Sequence, residues 1–211
     1  MYARLVMCAT IAVLGGILAQ LGFWIGPVPY TFQNASVVLA GLLLDAPHAF
    51  LSMALYVLFV AIGLPVAAGF RGGLYVILGP TGGYIVGFML SAPMMSLLRG
   101  WYLRLRGRKL DELGLADYLA LLLLSLIAVL PTYVLGFLVF SYYALGNERF
   151  FFWAQNVVSS MGGNVGDKFL VVFIASVLIF VPQDLLMDHV IALALAKYIY
   201  KIAAYKGLKL S

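Results

Sequence analysis

Asp184 and Asp188 stand four residues apart among Val181, Pro182, Leu185, Leu186 and Met187. Residues at i and i+4 share one face of a helix, so both carboxylates point the same way. In apolar surroundings such acids are costly, and intramembrane acids are functional candidates by default. The plainer roles are an N-cap for Asp184 and a structural hydrogen bond for Asp188. His189 lies roughly 100° around the helix from Asp188 and reads as a packed histidine. His48 is too isolated in the sequence to complete a metal site with it. A second polar cluster, 26–34, reads Gly-Pro-Val-Pro-Tyr-Thr-Phe-Gln-Asn. Its prolines stop one helix and Thr31 can cap the next. With Gln33 and Asn34, however, Thr31 offers more hydrogen-bonding groups than one cap uses, which suits a substrate-facing loop. A third stretch, 63–84, holds six glycines between positions 69 and 83 and the lone Arg71. It lacks a Gly-Lys-Ser/Thr ending and so is no nucleotide-binding loop. Arg71 could meet a carboxylate bidentately. Gly79, Gly83 and Gly87, four apart, form a small-residue seam for helix packing.

The elements that must hold these residues follow from composition. The chain has 211 residues, 64% hydrophobic and 10% charged, against about 45–50% and 25% in soluble domains. Stretches 5–44, 72–98 and 118–147 contain no Asp, Glu, Lys or Arg, and about 20 apolar residues span a bilayer. Soluble enzymes, nucleic-acid readers and secreted scaffolds are excluded. The single Cys8 cannot make an intrachain disulfide, and the first apolar run lacks a cleavage site and reads as a retained helix. The pattern predicts an all-α integral membrane protein, a single domain over 1–211 with six transmembrane helices at 5–25, 32–44, 47–63, 80–98, 118–145 and 183–205. Pro131 should kink the fifth. The apolar piece 169–181 is 13 residues long, too short to span, and is predicted to be re-entrant or interfacial. Both termini are placed in the cytoplasm, with a basic cytoplasmic loop at 99–117 and outer loops at 26–31, 64–79 and 146–182. This puts Arg4, Arg99, Arg104, Arg106, Arg108, Lys109, Lys197, Lys201, Lys206 and Lys209 inside, and only Arg71, Arg149 and Lys168 of the 13 basic residues outside, as the positive-inside rule requires.

Pro-Val-Pro-Tyr-Thr-Phe-Gln at 27–33, Leu-Ala-Gly-Leu-Leu-Leu at 39–44, Ala-Ile-Gly-Leu-Pro-Val at 61–66 and Gly-Pro-Thr-Gly-Gly-Tyr-Ile-Val-Gly-Phe at 79–88 resemble the BioY family, the biotin-specific S components of energy-coupling factor (ECF) transporters. The resemblance covers 26–88 well and 180–197 moderately. It implies a multi-pass protein of the prokaryotic cytoplasmic membrane that binds biotin near its outer face. Its implied partners are a transmembrane coupling subunit and two ABC ATPases. The family's last motif, Pro-Phe-x-Pro-Gly-Asp-x-x-Lys, places Asp184 at its aspartate. Gln183 replaces the glycine and Met187 the lysine, so the resemblance supplies no cation for a substrate carboxylate, and Arg71 and Lys168 are the nearest replacements.

The residues agree in part independently, since a ligand with two ureido N–H donors needs fixed acceptors in an apolar pocket. The expected substrate-binding set is Thr31, Gln33, Arg71, Tyr84, Asp184 and Asp188. Tyr30, Tyr84 and Trp24 are available to cover the apolar rings, and Trp24 also suits a membrane-interface anchor. Ala12 and Gly16, with Gly15 and Ala19, form small-xxx-small pairs that serve either partner docking, as the resemblance implies, or packing within the bundle. No cofactor and no metal is expected. An intramembrane enzyme would need a nucleophile with its base or a metal set, and no second histidine or Glu-x-x-His pair accompanies Asp188 and His189. Two transport alternatives stay open: an S component for another carboxylate vitamin, lipoate or a biotin derivative, and a solitary biotin transporter.

Overall fold

The computed structural model describes residues 2–206; Lys209 lies outside them. In chain order the elements are α1 (Tyr2–Leu18), a hairpin of β1 (Gly22–Ile25) and β2 (Val28–Thr31), α2 (Gln33–Leu43), α3 (Ala46–Ala61), a single turn α4 (Leu74–Ile77), α5 (Gly82–Arg106), α6 (Leu115–Ala128), α7 (Leu130–Leu145), α8 (Glu148–Ser160), α9 (Lys168–Phe173), the short α10 (Val181–Gln183) and α11 (Val190–Tyr205). The fold is therefore mostly helical, with one two-stranded exception. Helix 1 ends at Leu18 rather than near residue 25. Gly26 has φ +67°, and a positive φ in a two-residue loop lets Gly22–Ile25 turn back on Val28–Thr31 in antiparallel register.

Among the described residues, two apolar helical runs are long enough to cross a membrane, Leu115–Leu145 with 31 residues and Lys168–Ala203 with 36. Within the first, Pro131 interrupts the ladder as expected. The neighbouring helix α5 satisfies a backbone group there, Ser91 Oγ accepting from Thr132 N at 3.1 Å. The second run corrects the re-entrant reading of 169–181. Pro182 does not turn the chain back, because π-helical turns at Ile174–Leu178 and Asp184–His189 absorb the disturbance and the helix continues. Such bulges favour functional sites.

The central element is α2, of whose eleven residues all but Asn34 are buried. It rises roughly 16 Å, about half the hydrocarbon thickness, and is wrapped by α1, α3, α5 and α11. Gly41 permits the close crossing with α5, since a Cβ there would lie 2.6 Å from the Ala92 carbonyl oxygen. Gly83 and Gly87 do the same against α7, where added Cβ atoms would lie 2.2 Å from Leu135 O and 2.5 Å from Thr132 Cα. Gly79 takes no part in that seam; its nearest neighbour is its own Tyr75 carbonyl.

Arg99 belongs to α5 and is buried, not part of an aqueous loop. Its guanidinium donates to Leu42 O and, at 3.4 Å, to Leu44 O, and lies 3.1 Å from Tyr200 Oη. A cation thereby meets the negative end of α2. Ala12 and Gly16 are corrected as a docking surface. Both are buried, and a Cβ on Gly16 would lie 2.9 Å from Val66 Cβ, so their small size serves packing inside the chain. The face that α1 leaves open carries Val6, Val13 and Ile17.

Candidate functional site

A cavity of about 70 Å³ opens beneath the hairpin and the 64–72 loop, several times the ~10–15 Å³ that a single water needs. Five regions contribute. The β2–α2 junction contributes Thr31, Gln33 and Asn34; the loop contributes Ala67, Ala68 and Arg71; α5 contributes Tyr84, Ile85 and Phe88. Thr132 and Tyr133 of α7, with Ser176, Phe180 and Asp184 of the long helical run, close the far side. The floor is apolar and aromatic and the polar groups converge from few positions, which is the usual character of a small-molecule site.

Five of the six expected ligand residues, Thr31, Gln33, Arg71, Tyr84 and Asp184, meet at this cavity. Their free polar atoms differ. Thr31 Oγ1 donates to Gln33 Oε1 at 2.8 Å, Gln33 Nε2 donates to Tyr56 Oη at 2.6 Å, and Tyr56 Oη donates to Val66 O at 3.0 Å. This chain ties β2, α2, α3 and the 64–72 loop together, so Gln33 is already engaged. Tyr84 donates its hydroxyl to Ser176 O at 2.6 Å and offers the cavity its ring.

Asp184 uses one oxygen within the protein. Its Oδ2 accepts from Asn34 Nδ2 at 2.7 Å and from Tyr133 Oη at 2.5 Å, which leaves Oδ1 for a ligand donor. Asn34 Oδ1 is buried and has no hydrogen-bond partner among the described residues. A buried unpaired acceptor costs about 1–3 kcal/mol, so this carbonyl is a candidate to receive a ligand donor. Sequence reading placed Asn34 in the right loop without choosing it, and overlooked Tyr133. The signal for Tyr133 was its place, two residues after the helix-breaking Pro131.

Asp188 is corrected. It is fully buried and does not line the cavity; Oδ2 accepts from Ala35 N at 3.3 Å and Oδ1 from Gln183 Nε2 at 2.9 Å. The π-turn that buries Asp188 leaves Met187 45% exposed, so residue 187 faces away from the cavity. His189 is buried too, with Nδ1 2.7 Å from Ser125 Oγ, in accord with a packed histidine. Lys168 lies over the Phe151 ring and does not reach the cavity. Arg71 does. Its Nε donates to Ala68 O at 2.9 Å and its guanidinium lies 4.6 Å from the centre of the Trp24 ring, while neither Nη takes a partner within the described residues. Trp24 itself is half exposed on the hairpin, and Tyr30 does not line the cavity; its ring packs tilted against Phe180, a lining residue, at 5.5 Å.

A sequence model of the BioY family matches residues 2–205. The chain belongs to the BioY family. Among curated relatives, a probable biotin transporter BioY of Pyrococcus horikoshii is 46% identical over 94 residues, 44% of this chain and 58% of that protein. The biotin transporter BioY of Thermotoga maritima is 45% identical over 96 residues, 41% of this chain and 57% of that protein. Both matches thus span under two thirds of the relative's length. A probable biotin transporter BioY of Lysinibacillus sphaericus is 30% identical over 202 residues, covering 94% of this chain and 87% of that protein. Among solved structures, the S-component for biotin from an ECF-type ABC transporter aligns with TM-score 0.71 and 22% identity over 95% of this chain and 92% of that one. This BioY chain shares the S-component fold.

Proposed function

We propose that the chain is the membrane-embedded, biotin-binding S component of an ECF-type ABC transporter. It works in a prokaryotic cytoplasmic membrane with a transmembrane coupling subunit and two ABC ATPases, as a carrier and not an enzyme. Family membership, the names of the relatives and the shared S-component fold support this reading. The observation that carries it is a pair of acceptor residues lining one cavity: Asn34, whose buried Oδ1 has no partner among the described residues, and Asp184, one of whose oxygens is fixed by Asn34 and Tyr133. A ureido ring brings two N–H donors, and tyrosine and phenylalanine rings surround its apolar partner ring. At the mouth, Arg71 meets the valerate carboxylate, because an unpaired buried carboxylate costs several kcal/mol. Six spans with both ends inside fit the apolar segments and the basic residues gathered toward one side.

Mass spectrometry of the small molecule that copurifies with the detergent-solubilised protein tests the assignment. Biotin is expected; lipoate or a biotin derivative in its place would overturn the substrate while keeping the class.

A further inference from the structure

We infer that Asp188 is a positioning residue of the ligand site: it holds the two acceptors in place without touching the ligand. The inference rests on the biotin reading above. Helix α2 begins at Gln33 with Phe32 as its N-cap, which supplies no side-chain hydrogen bond, although the first four N–H groups of a helix lack partners. Asp188 adds a side-chain acceptor from a distant part of the chain, its Oδ2 3.3 Å from Ala35 N, an N–H that it shares with Phe32 O at 3.2 Å. A carboxylate there also suits the positive end of the helix, as Arg99 suits the other end.

The same carboxylate reaches the other strand of the site. Its Oδ1 accepts from Gln183 Nε2 at 2.9 Å, and the π-turn of Asp184–His189 turns the group inward. Ala35 follows Asn34 and Gln183 precedes Asp184, so one buried side chain joins the immediate neighbours of both acceptors. Between them runs the 2.7 Å bond from Asn34 Nδ2 to Asp184 Oδ2, which orients Asn34 Oδ1. With Asp188 removed, Ala35 N keeps its 3.2 Å bond to Phe32 O, but the side-chain tie between the first turn of α2 and Gln183 is lost, and Asn34 is free to leave its register with Asp184.

The test is a double-mutant cycle read as biotin affinity of the purified chain in nanodiscs. Asp188→Ala should weaken biotin by about tenfold or more. In an Asn34→Ala background the same change should cost under about threefold, because its route to the ligand is already gone. In an Arg71→Ala background it should cost the full factor, since Arg71 lies on a separate loop. A role in folding alone, or direct contact with the ligand, would give the same factor in all three backgrounds and overturn the proposal, as would an affinity unchanged by Asp188→Ala. Should the alanine variant not fold, Asp188→Asn runs the same cycle, because its amide cannot accept from both Ala35 and Gln183. A wild type that binds no biotin refutes the functional reading itself; a wild type that binds, with equal factors throughout, refutes the positioning role alone.

Discussion

Replacing Asp184 by asparagine changes one atom and isolates the role of its free oxygen. Asn34 Nδ2 at 2.7 Å and Tyr133 Oη at 2.5 Å both donate to Oδ2, so in Asp184→Asn the amide oxygen must take that place. The amide nitrogen then occupies the Oδ1 position and turns two donors toward the cavity. The fold loses little, because both internal donors keep an acceptor. A ureido ligand loses a charge-assisted acceptor and meets an opposing donor, a change of about 1.5–3 kcal/mol, or roughly tenfold to a hundredfold in Kd. Isothermal titration in nanodiscs measures the ratio, and thermal unfolding without ligand checks that stability is retained. An affinity within about twofold of wild type, with the protein folded, would remove Asp184 from the ligand site and refute the reasoning.

Arg71→Ala should weaken biotin by about tenfold while leaving biotinamide, whose carboxylate is masked, nearly unchanged; equal losses would show that Arg71 shapes the loop without reading charge. Met187→Lys should not restore biotin binding in that background, because Met187 is 45% exposed and faces away from the cavity; rescue would contradict the π-turn. Gly136→Ala would set a Cβ 2.2 Å from the Tyr84 ring, and overpacking of this kind costs about 1–3 kcal/mol. It should lower both thermal stability and biotin affinity, and unchanged affinity would show that Tyr84 is not a wall of the site. For topology, single cysteines on a Cys8→Ala background should react with an impermeant maleimide in intact cells at Phe70→Cys and not at Arg108→Cys. The reverse pattern would invert the orientation.

Most of the residues that line the candidate cavity's polar side were legible because they violate their surroundings. Thr31, Gln33 and Asp184 are polar where lipid or core packing would demand apolar groups, and Arg71 is an isolated cation in a glycine-rich loop. Asp188 met the same test and was misplaced. Spacing of four on a regular helix puts it beside Asp184, and no propensity announces the π-turn that directs it to the N-terminus of α2 instead. Pro182 was read as a boundary for the same reason. Small residues were ambiguous in kind: Ala12 and Gly16 suit docking or packing, and only the position of Val66 decides between them. The hairpin was hidden by Phe23, Trp24 and Ile25, which extend the hydrophobic run of α1 without being helical. Residues 146–182 were read as an outer loop, although Glu148–Ser160 forms the amphipathic helix α8, whose Trp153 lies against Gly26 at the hairpin turn.

Direct titration of biotin into the purified wild-type chain, without any partner subunit, tests the central claim. The account predicts saturable one-to-one binding with Kd in the nanomolar range or below, about −12 kcal/mol or more favourable, lost in a protein carrying both Asn34→Ala and Asp184→Asn. Absence of binding at micromolar biotin, or binding that survives the loss of both acceptors, would contradict it.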